Sequence, residues 1–147
     1  MNSSPGLEGV FPRLRDSEYR VTSPRDRAYN CVAWAADADT QWWDPSPDGY
    51  WPIAARHLTV DCFVSAFRSL GYEVCEKREL EDHLEKVAIY ANGEWPTHMA
   101  RQLPDGLWTS KCGDCEDITH ELPALEGNEY GRVVQVMRRK RTTRRAG

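Results

Sequence analysis

The run Tyr29-Asn30-Cys31-Val32-Ala33-Trp34-Ala35-Ala36 constrains this chain most, because it opens a helix and opens it on a cysteine. Asn is among the strongest N-caps, its side-chain oxygen accepting a hydrogen bond from a first-turn N–H. Cys31 then falls in the first turn, at the positive end of the helix dipole. That setting favours thiolate, the nucleophilic form of the side chain. The helix is short, since Asp37-Ala38-Asp39-Thr40 reads as its exit. A second helix is expected from about Val60 to Leu70, with Thr59 as N-cap and Asp61 in the first turn. Phe63, Val64, Phe67 and Leu70 make one apolar face, and Gly71 suits the position after the helix.

Downstream the pattern changes to strands. Tyr72–Cys75 reads as a short strand, and the charged stretch from Lys77 to Leu84 as a surface loop or short helix. Lys86–Ala91 reads as a buried strand, closed by the turn signal Asn92-Gly93. A strand from Thr97, a Pro104-Asp105-Gly106 turn and a strand over Trp108–Lys111 make a hairpin. Asp117 to Leu125 is expected as a short helix, and Gly131–Met137 as the last strand. This order predicts an α+β fold, with N-terminal helices packed on one face of a mostly antiparallel sheet. Between the helices, residues 41–55 set Trp42, Trp43, Tyr50 and Trp51 among three prolines and a glycine, a density that breaks both helix and strand. This long aromatic loop either covers the core or forms a substrate lip, with Trp42, Trp43 and Trp51, beside Cys31.

The chain divides into a loose lead-in at 1–27, strapped across the domain, one domain at 28–137, and a basic, disordered tail at 138–147. With 147 residues the domain can bury a substantial core. The formal charge of −4 is uneven: Arg138, Arg139, Lys140, Arg141, Arg144 and Arg145 carry +6, so the rest carries −10. No segment approaches the roughly 20 apolar residues of a membrane span, which argues against a membrane protein. Met1 to Arg15 lacks the basic start and apolar run of a secretory signal, so a cytoplasmic protein is expected, with signal-independent export left open. Cys31, Cys62, Cys75, Cys112 and Cys115 are odd in number and read as free thiols.

Cys31 as a nucleophile needs a base held within hydrogen-bond reach. Among His57, His83, His98 and His120, His98 lies on a strand beside a core strand and is the first choice. His120, three residues after Asp117, is the second. The orienting partner depends on hairpin register. A three-residue turn puts Ser110 and Cys112 on the face of His98; a two-residue turn puts Thr109 and Lys111 there. Gln102 shares that face in either register. Ser110 is the first choice and Gln102 the second. First-turn N–H groups, with Asn30 or Tyr29, are the candidate oxyanion donors.

These residues carry a resemblance. The run from Tyr29 to Ala35, the pairs Trp42-Trp43 and Tyr50-Trp51, Leu70-Gly71-Tyr72, Lys86–Tyr90 and the unbroken stretch His98–Lys111 are similar to a widespread, mainly bacterial domain family of unknown function. More distantly the chain resembles the NlpC and CHAP branches of the papain-like superfamily. The resemblance implies a papain-like fold, a Cys31–His98 pair, a third polar residue at Ser110, an amide or peptide substrate and no cofactor. Relatives usually carry His, Asn, Gln or an acid at that third position, where this chain has serine. The expected function is a cysteine-dependent amide hydrolase: a peptidase, amidase or deamidase.

Three other readings compete. One is a non-catalytic papain-like interaction module whose surface is the aromatic loop. Another is a zinc site built on Cys112, Cys115 and His120, which lacks a fourth ligand at the knuckle spacing. The last is nucleic-acid binding through the basic tail, disfavoured by the −10 body.

Overall fold

The computed structural model describes residues 5–23, 29–38, 41–111 and 117–141. Its elements run α1 (Pro5–Val10), a 3-10 helix (Pro12–Asp16), β1 (Tyr19–Ser23), α2 (Cys31–Ala35), α3 (Val60–Arg68), β2 (Glu73–Cys75), β3 (Leu84–Asn92), β4 (Trp95–Gln102), β5 (Trp108–Lys111), β6 (Asp117–His120), a second 3-10 helix (Leu122–Leu125) and β7 (Arg132–Lys140). The strands form a seven-stranded sheet in the order β1-β6-β5-β4-β3-β7-β2, with every neighbouring pair antiparallel. A mostly antiparallel sheet with few helices is therefore the architecture.

Both helices begin where their caps predict. Asn30 Oδ1 accepts from the Ala33 N–H at 3.1 Å, and Thr59 Oγ1 from the Cys62 N–H at 3.1 Å. Gly71 after α3 has φ +97°, a conformation that L side chains avoid. The helices pack on one face of the sheet, where Val32, Ala33, Phe63 and Phe67 meet Val87, Ile89, Met99 and Met137. Trp43 and Trp51 belong to this core, buried to 8% and 5% exposure. Alternation along β3 and β4 sends Ala88, Tyr90 and Ala100 to the opposite face.

That opposite face is also covered, and here the structure corrects the sequence reading. Residues 5–23 are not a loose lead-in. Leu7, Phe11 and Leu14 pack with Tyr90, Trp108 and Ile118, and β1 pairs with β6 as an edge strand. Asp117–Leu125 is not a helix but β6 followed by a 3-10 turn, because Ile118 and His120 must alternate inward with β5. The basic tail starts later than residue 138: Arg138, Arg139 and Lys140 continue β7, where Arg139 Nε donates to Glu85 Oε1 at 2.6 Å. Residues 142–147 lie outside the described residues. The charged stretch 77–83 is a loop, fastened by the buried Lys86 ammonium, which donates to Lys77 O, Glu79 O and Glu81 Oε1 at 2.7–2.8 Å.

Candidate active site

The residue pairs Arg101↔Thr109 and Gln102↔Trp108 fix the hairpin as the three-residue-turn register, with the Leu103 N–H donating to Leu107 O at 2.7 Å. Ser110 therefore shares the face of His98, and His98 Nε2 lies 2.9 Å from Ser110 Oγ. The contact runs on: Ser110 Oγ is 2.7 Å from His120 Nε2, and His120 Nδ1 is 2.8 Å from Glu121 O. All three side chains are buried. His98 stacks on Tyr130 with ring centroids 4.1 Å apart and planes 7° off parallel, and meets Tyr90 edge-on at 5.2 Å. His98 Nδ1 is buried without a hydrogen-bond partner. Burial, then the neighbouring His120, pushes the His98 pKa well below its usual value. Burial likewise pushes His120 down to about 4. Both rings are neutral at pH 7.

Cys31 and His98 line one cleft of about 180 Å³, together with Asn30, Trp42, Asp44 and Thr97. No hydrogen bond joins Cys31 to His98 among the described residues. Burial acts most strongly on the Cys31 thiol, and the backbone N–H groups of Met99, Val32 and Cys31 itself pull its pKa the other way. Burial outweighs them, and Asp44 adds to it, so the thiol titrates above its ordinary value. The helix start therefore does not by itself produce a thiolate. Desolvation penalises the anion more than three N–H groups favour it.

The remaining sequence candidates separate. Asn30 is held on both sides: besides capping α2, its Oδ1 accepts from Trp43 N at 3.0 Å, and one N–H of its Nδ2 donates to Trp43 O at 2.8 Å. It ties the aromatic loop to the helix, and it also lines the cleft beside Cys31. The Tyr29 hydroxyl donates to Asp117 Oδ2 at 2.5 Å, and its ring lies under Lys111 Nζ, so it faces β6. Gln102 donates to Arg78 O at 3.1 Å in the 77–83 loop and does not hydrogen-bond His98. Four residues along a strand span about 13 Å, too far for a shared face to become a contact. Of the proposed lip, only Trp42 is exposed and lines the cleft; Trp43 and Trp51 are core. Tyr50 and Leu58 are the other exposed apolar groups of this region, and Leu58 also lines the cleft. His57 and His83 are exposed, which leaves neither rigidly held.

Among the described residues no group of three or more His, Cys, Asp and Glu could hold a metal ion. Cys112 and Cys115 lie outside them, while His120 has both ring nitrogens in hydrogen bonds. Cys31, Cys62 and Cys75 are free thiols. A larger surface hollow of about 410 Å³ at Cys75, Lys77, Glu81 and Arg138 offers a thiol but no histidine. No helix among the described residues is long and apolar enough to cross a membrane. Sequence reasoning missed Tyr130 and Asp44, neither of which sits in a chemical motif, and it missed that His120 reaches Ser110. The last depended on reading 117–120 as a strand.

A seven-stranded antiparallel sheet, its two faces sealed by helices and by the N-terminal segment, presents a cysteine and a histidine to one small cleft. Residues 20–138 match the family described as "Domain of unknown function (DUF7689)", and the chain belongs to that family. No curated protein and no solved structure matches it.

Proposed function

We propose that this chain is a papain-like, cysteine-dependent amide hydrolase using Cys31 and His98. One observation carries the reading: Cys31, at a helix start, and His98 line the same cleft. A base must offer a lone pair where the nucleophile's proton leaves. The Nε2 side of His98 is engaged by Ser110, the residue at the third position of the papain-like order.

In the reaction, His98 Nδ1 takes the thiol proton as Cys31 Sγ attacks the carbonyl carbon. The C–S bond forms and the carbonyl π pair moves to oxygen, for which the backbone N–H groups of Cys31, Val32 and Met99, which favour the thiolate, are the candidate donors. Collapse breaks the C–N bond, and the amine leaves with the proton from His98. Water, losing a proton to His98, attacks the thioester; the acid departs and Cys31 regains its proton. Because burial raises the thiol and lowers the imidazole, the resting pair is neutral, and proton transfer accompanies attack. A cleft of about 180 Å³ is smaller than the roughly 300–1,000 Å³ of sites that enclose drug-sized ligands. It suits a peptide segment or a glutamine side chain laid across it.

A second reading, a non-catalytic interaction module, is favoured by the raised Cys31 thiol and the absence of a Cys31–His98 hydrogen bond. Its docking surface would be Trp42, Tyr50 and Leu58. Site-resolved alkylation separates the two. Under the hydrolase reading, Cys31 reacts faster than Cys62 and slows in His98→Ala; if its rate is indifferent to His98, the interaction module stands instead.

A further inference from the structure

His120 lies one strand beyond Ser110 and touches neither Cys31 nor the cleft, yet the hydrogen-bond chain gives it a defined task. A carbonyl oxygen accepts and never donates, so the contact at 2.8 Å to Glu121 O places a proton on His120 Nδ1. The ring is neutral at pH 7, so its Nε2 is a bare lone pair. Ser110 has a single hydroxyl proton, and the 2.7 Å contact to that lone pair directs it to His120. What Ser110 Oγ presents to His98 is then a lone pair, 2.9 Å from Nε2. A neutral imidazole has one N–H, and this contact places it on Nε2, leaving Nδ1 as the basic nitrogen. The opposite tautomer sets two lone pairs against each other across 2.9 Å and buries an unpaired N–H. Tyr130 and Tyr90 hold the ring plane, and a half-turn that keeps that plane would set Cε1 against Ser110 Oγ and lose the contact altogether.

We propose that His120, acting through Ser110, is a positioning residue that locks His98 as the Nε2–H tautomer with its Nδ1 lone pair free. The serine, which looks too weak to orient a histidine, works because a second histidine orients the serine. The relay's use as a base-orienting device rests on the hydrolase reading above, but the tautomer does not.

The test is the 15N spectrum of histidine-labelled protein near pH 7, assigned through His→Gln variants, which reports each ring nitrogen as protonated or bare. The expected wild-type result is His98 with Nε2 protonated and Nδ1 bare. In His120→Phe the serine proton is released, Ser110 donates to His98 Nε2, and the proton of His98 moves to Nδ1. In His120→Gln an amide oxygen can again accept from Ser110, and the wild-type tautomer returns. Ser110→Ala, a smaller change, gives a tautomer mixture and serves if His120→Phe does not fold. A wild-type His98 bearing its proton on Nδ1, or a His98 spectrum unchanged in folded His120→Phe and Ser110→Ala, overturns the relay. Cys31 alkylation is followed in the same samples. A tautomer that shifts while alkylation does not leaves the relay standing and removes the hydrolase reading instead.

Discussion

Asn30 and Trp43 hold each other through two hydrogen bonds, Trp43 N–H to Oδ1 at 3.0 Å and Nδ2 to Trp43 O at 2.8 Å. The same Oδ1 caps α2, so one side chain sets the helix start and anchors the aromatic loop over it. Cys31 is the next residue, and its position inherits both constraints. Asn30→Ala removes the cap, worth about 1–2 kcal/mol, and leaves buried Trp43 backbone groups unpaired at about 1 kcal/mol or more. The expected loss of at least about 2 kcal/mol is read by urea denaturation. Asn30→Ser keeps a capping oxygen and lacks the Nδ2 donor, so it should fall between. Equal stability of all three would show that the loop stands without Asn30.

The thiol of Cys31 should be neutral near pH 7. Burial raises its pKa, and the N–H groups around it only partly offset that. Its alkylation rate, followed residue by residue with mass spectrometry, should still be climbing above about pH 8.5, the unperturbed cysteine value. A plateau below about pH 7 would mean a thiolate–imidazolium pair at rest and would contradict the neutral pair derived above.

Acid should weaken the fold through its two buried histidines. In the folded chain His120 titrates near 4 and His98 well below its usual value, while both titrate near 6.5 when unfolded. Above about pH 6.5 neither state is protonated, and the full stability is present. Below it the unfolded chain takes up protons that the folded chain refuses, so stability falls until the folded pKa is passed. For His120 alone the loss between about pH 6.5 and pH 5 is on the order of 2 kcal/mol, and His98 adds to it in the same direction. The check is urea midpoints across that window in wild type and His120→Gln. The variant should have the shallower slope; parallel slopes would mean that His120 is protonated in the folded state.

Gly131 opens β7 at φ +74°, and a Cβ there would lie 2.3 Å from Ala91 O and 2.5 Å from Asn92 Oδ1. The obstacle is mainly β3 backbone, which cannot move aside as a side chain can. Gly131→Ala should cost about 1–3 kcal/mol or more, from strain and clash together. Thermal denaturation reads it, and a loss below about 0.5 kcal/mol would show that the β3–β7 edge yields.

The tryptophans should split by role. Trp51 is buried against Phe63 with ring centroids 5.1 Å apart, so Trp51→Ala should cost about 3–5 kcal/mol. Trp42 is 44% exposed and lines the cleft, so Trp42→Ala should stay within about 0.5 kcal/mol of wild type. Under the proposed function Trp42→Ala weakens turnover through KM instead. Comparable destabilisation by the two changes would place Trp42 in the core.

The elements that were legible in the amino-acid order are those whose deciding contacts are local. Asn30 reaches Ala33, Thr59 reaches Cys62, and Asn92-Gly93 turns β3 into β4, each within about four residues. The His98–Ser110 contact belongs to the same class, because a hairpin converts a short separation into a register, although the sequence admits two registers and the turn selects one. Such features depend on backbone geometry and short side-chain reach, which composition at a few positions specifies.

Packing between distant segments settled the rest. Tyr29 finds Asp117 across 88 positions, and residues 5–23 find the sheet face that leaves Tyr90 and Ile118 otherwise bare. His120 joined Ser110 only because β6 pairs with β5, which turned an expected helix into a strand and its side chain inward. The protonation of Cys31, His98 and His120 was decided last of all. A helix start and a charge can be read from neighbours, but desolvation depends on every atom that excludes water, and that is a property of the closed fold.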